Sequence, residues 1–425
     1  MTGKNGQNQV LVPTLRFPEF REAEPWTLRE LSKLLSEPKK KNRDMKYGPE
    51  HVLSVSGEWG CVNQIELMGR SYAGASVREY NVVETGDIVY TKSPLKACPS
   101  GIIKANKGAT GIVSVLYAVY RPTVASRSDF LDHYFSSDHK LNTYLQPLVK
   151  KGPKNSILVN SSDVLKGRIA VPDVAEQQKI AECLSSLDTL IVSEVEKLTA
   201  LREHKRGLLN QLFPAEGKTI PSLRFSEYRD VGAWEERSLA EIGRLIGGLT
   251  YSPSDVRDKG LLVLRSSNVQ NGKIDLSDCV FVDPNVNGAN IAKADDILIC
   301  VRNGSTSLIG KNALIPDGMP LCTHGAFMTI FRSRLASFVF QLFQTTAYQR
   351  QVAADLGATI NSINSAQFLR YKFLVPIESE QQKIADCLSS IDTLIDVQRE
   401  RTDALKMQKN GLLQQLFPSS DEAVA

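Results

Sequence analysis

Glu176-Gln-Gln-Lys-Ile-Ala-Glu-Cys-Leu-Ser-Ser-Leu-Asp-Thr-Leu-Ile191 recurs as Glu380-Gln-Gln-Lys-Ile-Ala-Asp-Cys-Leu-Ser-Ser-Ile-Asp-Thr-Leu-Ile395. Fourteen of the sixteen residues are identical, and the other two pairs are Glu/Asp and Leu/Ile. The copies lie 204 residues apart (380 − 176), about half of the 425-residue chain. A repeat on that scale marks a tandem duplication, and it orders everything else in the sequence.

Each copy opens a long amphipathic helix. Ile180, Leu184, Leu187, Ile191, Leu198, Leu201, Leu208 and Leu212 follow a 4-3 alternation, as do Ile384, Leu388, Ile391, Ile395, Leu405, Leu412 and Leu416. An apolar repeat near 3.5 residues is the seam of a coiled coil. Polar residues interrupt it: Glu194 and Lys205 in the first copy, Gln398, Thr402 and Lys409 in the second. They either set the register of pairing or snorkel at a solvated end. Asp173-x-x-Glu176 and Ser379-x-x-Gln382 read as capping boxes. Leu-Phe-Pro closes both helices, at 212–214 and 416–418, because proline disfavours helical geometry in the residue before it. Gly207 and Gly411 sit at matching places in the last turns, where glycine costs about 1 kcal/mol against alanine. They point to a close helix approach, a docking surface, or fraying.

A second repeat precedes each body. Val12-Pro13-Thr-Leu15-Arg16-Phe17-Pro-Glu19-Phe20-Arg21, then Trp26, returns 208 residues later as Ile220-Pro221-Ser-Leu223-Arg224-Phe225-Ser-Glu227-Tyr228-Arg229, then Trp234. The chain divides into a polar, mobile leader 1–11, a first body 12–171, a central helix 172–214, a second body 215–375, a C-terminal helix 376–418 and a tail 419–425. Both bodies mix short strands with helices. Asp87-Ile88 and Asp296-Ile297 open corresponding strands, Gly111–Tyr120 and Gly325–Phe331 are β-rich, and 130–150 and 336–356 read as helical. The fold class is α/β (α+β): two diverged versions of one globular fold joined by two long helices in an internal pseudo-twofold repeat.

Composition is that of an ordinary globular protein, 42% apolar and 23% charged with net charge +4. No apolar run is long enough to span a membrane, and the N-terminus lacks the apolar core of a secretory signal. Seven cysteines without a Cys-x-x-Cys pair argue against a disulfide framework or zinc site and for the reducing cytoplasm. No catalytic constellation emerges. Gly304-Ser-Thr-Ser-Leu-Ile-Gly310-Lys311-Asn312 has five residues between its glycines where a phosphate loop has four, and Asn312 replaces the magnesium-holding Ser/Thr. No Gly-x-Gly-x-x-Gly follows a strand, and five scattered histidines offer no metal spacing.

What remains is basic, polar and aromatic loop chemistry suited to nucleic acid. Lys39, Lys40, Lys41, Arg43 and Lys46 can neutralise backbone phosphates. Arg70, Lys92, Lys96, Arg265, Asn268, Arg302 and Asn303 sit at turns beside strands, where Arg can fork onto guanine and Asn onto adenine. Tyr251 can pack on sugar or base. For any one of these residues, a solvated charge or a turn-forming side chain is the competing reading.

The Glu-Gln-Gln-Lys-Ile-Ala helix, its Leu-Phe-Pro end and the Pro-x-Leu-Arg-Phe segment before each body resemble the specificity subunit of type I restriction–modification enzymes. Arg265-Ser-Ser-Asn268, Val301-Arg-Asn-Gly304 and Thr323-His-Gly-Ala-Phe327 resemble a target-recognition domain of that family. The resemblance implies that each body reads one half of a bipartite, gapped duplex DNA site. It implies that the helices pack antiparallel as a ruler of roughly 58 Å, at ~1.5 Å per residue, and dock two methyltransferase subunits through a seam including Ile180, Leu184, Leu187, Ile191, Ile384, Leu388, Ile391 and Ile395. It further implies a restriction/translocase partner, with adenosylmethionine, ATP and Mg²⁺ held by the partners, no cofactor in this chain and no bond chemistry of its own. Two other readings stand beside it: a duplicated enzyme with its site between the bodies, and a coiled-coil scaffold that binds only proteins. The scaffold leaves the Lys39–Lys46 run unused.

Overall fold

The computed structural model describes residues 11–57, 59–93, 97–151, 157–356 and 361–418. Residues 1–10 of the expected leader, Lys96 and the tail 419–425 lie outside the described residues. The chain forms two compact units. One takes the chain up to Val195 together with the stretch from Arg401 onward; the other runs from Glu196 to Glu400. Each unit holds one body and half of each long helix, so the division falls inside the helices and not at their ends.

In the first unit, Thr27–Glu30 pairs antiparallel with Arg168–Val171, the strand that leads into the long helix. A four-stranded antiparallel sheet follows in the order Leu35–Ser36, Tyr117–Pro122, Ile88–Thr91, Ile102–Ala105. Side chains alternate across a strand, and here both faces are covered. Ile88 and Tyr90 enter the main core with Phe130 and Leu131. Val89 enters a smaller core with Leu53, Val83 and Val113. Burial on two sides explains why the strand is apolar without alternation. The β-rich run 111–120 is two strands, not one: Gly111–Val113 and Tyr117–Pro122 are separated by a turn in which Tyr117 N donates to Ser114 O. The helical stretch divides into Ser128–Tyr134 and Asp138–Leu145. Leu11 is buried and its carbonyl accepts from Trp26 N at 2.8 Å, so it belongs to the first unit and not to the expected leader.

The second unit repeats this plan. Glu235–Ser238 pairs with Lys372–Val375, and the sheet order is Arg244–Gly247, Met328–Arg332, Ile297–Cys300, Asn312–Leu314. Ile297 and Ile299 face one core, and Leu298 and Cys300 face another. Asp87 and Asp296 are matched in detail. Each accepts from a backbone N–H three residues earlier, at 2.8 Å. Each also grips an arginine of the neighbouring strand with both oxygens, Arg121 at 2.9 and 3.1 Å and Arg332 at 2.6 Å twice. The second unit adds a sheet of its own, Val256–Arg257, Val280–Val282, Leu261–Leu264 and Cys322–His324, whose last pair is parallel.

The long helices span Val174–Leu212 and Glu378–Gln415. Each unit closes its own antiparallel pair. In the first, Arg401 meets Glu194 at 3.4 Å, Lys409 pairs with Asp188, and Leu416 packs in the core that holds Ile180 and Leu184. In the second, Leu198 packs with Ile391 and Ile395, Lys205 reaches both oxygens of Asp392 at 2.6 and 2.7 Å, and Leu212 shares a core with Ile384 and Leu388. The polar seam residues Lys205 and Lys409 thus form equivalent ion pairs across the seam. Leu187 and Ile191 are only half-buried, whereas Ile391 and Ile395 are buried. A Cβ added to Gly207 or Gly411 would meet nothing within 4 Å, so neither glycine serves a close helix approach among the described residues.

The two repeated motifs work together. Arg16 Nε and Nη2 fork onto Glu176 at 2.8 and 2.7 Å, and Arg224 forks onto Glu380 at the same distances. Each arginine also donates to carbonyls seven and eight residues on, Ala23 and Glu24 or Val231 and Gly232. Leu15 N caps the carbonyl of Gln415, and Leu223 N caps that of Gln211, both at 2.9 Å. Each clip therefore ties the start of one long helix to the end of the other, satisfying carbonyls that a helix end leaves unpaired. Phe417 and Phe213, read from sequence as stop signals, are core residues packed on Trp26 and Trp234. The capping-box expectation fails at both starts. Asp173 does accept from Glu176 N at 2.8 Å, but the Glu176 carboxylate is occupied by Arg16. The second helix begins at Glu378, which puts Ser379 inside it, and Gln382 bonds Asp386.

Candidate nucleic-acid interface

The basic run of the first body is a built loop. Lys39 and Met45 hold left-handed backbone angles, φ 51° and 54°, which ordinary side chains adopt rarely. Asn42 makes this possible: fully buried, it donates to the carbonyls of Tyr47 and Val77 and accepts from Tyr47 N. The lysines are not equal. Lys40 is paired with Glu84 at 2.8 Å, which raises its pKa, and Lys41 donates to the Glu79 carbonyl at 2.9 Å. Lys39, Arg43 and Lys46 are exposed, and Lys46 lies 5.5 Å from the Tyr47 ring centre. Lys39, Arg43 and Lys46 are thus exposed cations of the run, whereas Lys40 and Lys41 are engaged, so its members are not equivalent.

Elsewhere in this body, Gln64–Met68 ends at Gly69 in a left-handed conformation, φ 74°. Arg70 follows, its guanidinium 4.6 Å from the centre of the Tyr72 ring. Lys92 is half-buried just beyond Ile88–Thr91.

In the second body, the loops at one end of the two sheets enclose a cleft of about 480 Å³. Tyr251, Arg265, Asp278 and Phe327 line it. Arg265 is engaged, its Nη2 donating to Asp278 at 2.7 Å. Asn268 does not face a ligand: it is 0% exposed, and its side chain bonds Arg265 N and the carbonyls of Asp275 and Asp278, all at 2.8 Å. A buried amide with these partners holds the loop and cannot read a base, which corrects the expectation for that residue. Asn303 is likewise tied, donating to Ser266 Oγ at 3.1 Å and accepting from Ser305 N at 3.0 Å. Arg302 is exposed, with its guanidinium 5.7 Å from the Phe327 ring centre. The structure thus gathers Tyr251, Arg265, Arg302 and Asn303 around one region of the second unit. The 304–312 stretch forms a short turn, Thr306–Leu308, leading into the strand Asn312–Leu314, where Asn312 is buried.

Sequence reading missed Asn42, Tyr72 and Asp278, and it named Phe327 only as the end of a motif. Nothing in their types singled them out, since their importance comes from which charged side chain they hold. Arg16 and Glu176 carried a usable signal, because both recur in the second copy as Arg224 and Glu380. Among the described residues no group of three or more His, Cys, Asp or Glu is placed to hold a metal ion. No helix there is long and apolar enough to cross a membrane.

Residues 232–407 match the family described as Type I restriction modification DNA specificity domain. The specificity subunit of the type I restriction enzyme EcoKI of Escherichia coli is 29% identical over 182 residues, 40% of this chain and 39% of that one. The MjaVIII specificity subunit of Methanocaldococcus jannaschii is 26% identical over 261 residues, 59% of this chain and 61% of its own length. The match to each relative thus spans less than two thirds of that relative. The crystal structure of the type I restriction–modification S subunit from M. genitalium superposes with TM-score 0.63 at 14% identity, over 96% of this chain and 100% of that chain. The fold is shared with that subunit, and the resemblance to type I specificity subunits read from the sequence is borne out.

Proposed function

We propose that this chain is the DNA specificity subunit of a type I restriction–modification complex, each body reading one half of a bipartite, gapped site. One observation carries the reading: the specificity-domain match at residues 232–407 lies in a chain that repeats one scaffold around two diverged bodies. The basic Lys39–Lys46 loop and the Arg302–Phe327 region support it from the side of chemistry, supplying phosphate neutralisation and base-edge donors. In this reading the long helices set the spacing of the half-sites and dock two methyltransferase subunits, and a restriction/translocase subunit joins that core in the cytoplasm. Adenosylmethionine, ATP and Mg²⁺ belong to those partners, and this chain breaks no bond.

The test is a map of methylated adenines in DNA from cells expressing the chain with its methyltransferase partner. A gapped two-part motif that vanishes when this chain is deleted is expected. A motif that persists without the chain would refute the reading. A scaffold that binds only proteins would differ at once, because purified complex would then show no DNA binding that weakens steeply with salt.

A further inference from the structure

Resting on that reading, we infer that Arg302 in the second body and Arg70 in the first each read a guanine through its major-groove edge, and that Phe327 and Tyr72 hold them for the task. Three of the second body's four polar candidates are already used by the chain. Asn268 is buried, Asn303 bonds Ser266 and Ser305, and Arg265 is paired with Asp278. Arg302 has no ion pair with the described residues. Its backbone is fixed, since its N–H donates to the Phe327 carbonyl at 3.1 Å and it bridges Ser362. Its guanidinium lies 5.7 Å from the ring centre of Phe327, a residue that is 57% exposed.

An aromatic ring left that open is costly to hydrate and is normally buried. A cation held within about 6 Å of a ring face is attracted to it, which restrains the Arg302 head group, and no ion pair among the described residues occupies its N–H groups. A planar pair of donors requires a planar pair of acceptors. In the major groove only guanine offers two, O6 and N7; adenine pairs an acceptor with a donor, and thymine an acceptor with a methyl group.

The first body has the same device from different residues. The Arg70 guanidinium lies 4.6 Å from the ring centre of Tyr72, a residue that is 56% exposed and whose N–H is held by Gln64 Oε1. The lysines of the 39–46 loop are point charges suited to phosphates. A phosphate role for the arginines is the competing outcome. Losing a phosphate contact weakens binding uniformly across sequences and lowers the salt slope, whereas losing a base contact relaxes one position.

The experiment uses the complex with its methyltransferase partner. Methylated-adenine maps are compared for wild type, R302A, R302K and R70A. R302A and R302K should each make a single guanine position degenerate in one half of the motif, with the other half as in wild type. R70A should do the same in the opposite half. The unaffected half reports that the chain is folded. Unchanged motifs, or methylation lowered evenly at all sites, would overturn the inference while leaving the specificity-subunit reading intact. Absence of any chain-dependent two-part motif in wild type would defeat that reading and this inference with it.

A second measurement stands even where a variant abolishes methylation. Wild-type complex is titrated against duplexes in which each motif guanine in turn is replaced by 7-deazaguanine, which lacks the N7 acceptor. One guanine per half-site should show a loss of about 5- to 150-fold. Equal binding of all these duplexes overturns the inference.

Discussion

Replacing Glu176 by Gln tests the clip that joins the two repeated motifs. Glu176 is 1% exposed and accepts from Arg16 twice and from Trp26 Nε1 at 3.3 Å. The amide keeps the shape, but it sets an N–H against an Arg16 N–H and leaves the guanidinium buried without a counter-charge. Removing one member of a buried ion pair costs about 3–5 kcal/mol. For a cooperative unit of roughly 200 residues, each kcal/mol moves the melting midpoint by about 2–4 °C, so the expected fall is about 6–20 °C. The assay is differential scanning calorimetry of the purified chain. E380Q in the second unit should behave alike, because Arg224 and Glu380 reproduce the geometry. The control is E19Q, which breaks the exposed Glu19–Lys179 pair at the same helix start. Surface pairs are screened and contribute little. A midpoint for E176Q no lower than that of E19Q would refute the argument that the buried fork holds the helix start.

Further outcomes follow from other sites. K39A/R43A/K46A should lower the salt slope of DNA binding by about one unit per lost phosphate contact, and K40A/K41A by less, since those lysines already serve Glu84 and Glu79; equal slopes would contradict the division. Burial, and then Lys107, push the pKa of His133 down to about 4 from the ordinary 6.5. The unfolded chain therefore binds the proton first, so stability present above about pH 6.5 is lost as pH falls toward 4. His133→Gln, the residue that the matching position 341 already carries against Asp392, should flatten this loss in acid melting curves; parallel curves would sink the assignment. Phe417→Ala should cost about 3–5 kcal/mol and speed amide exchange in the first unit while sparing the second, and uniform exchange would argue against Phe417 as a first-unit core residue. Inserting a heptad into both long helices adds about 10.5 Å, and should widen the methylated motif's gap by about three base pairs at 3.4 Å each; an unchanged gap would show that the helices are not the ruler.

The duplication, the two long helices and the two diverged bodies were legible in the chain itself. They rest on periodicities of 3.5 and about 204 residues, and a period survives in a string of letters. Local pattern was legible too: Asp87 and Asp296 open matching strands, and Lys39–Lys46 is a basic run of which Lys39, Arg43 and Lys46 are exposed. Tertiary structure decided which charges are spent. Asn268 and Arg302 look alike in sequence, each polar and each at a turn after an apolar strand. One is sealed by two carbonyls and a backbone N–H, and the other is left resting on an exposed ring. It also decided that Phe213 and Phe417 are core residues and that Arg16 belongs to Glu176, 160 positions away. Burial and hydrogen bonding depend on what distant segments bring into contact, and a sequence read locally records only what each residue is able to do.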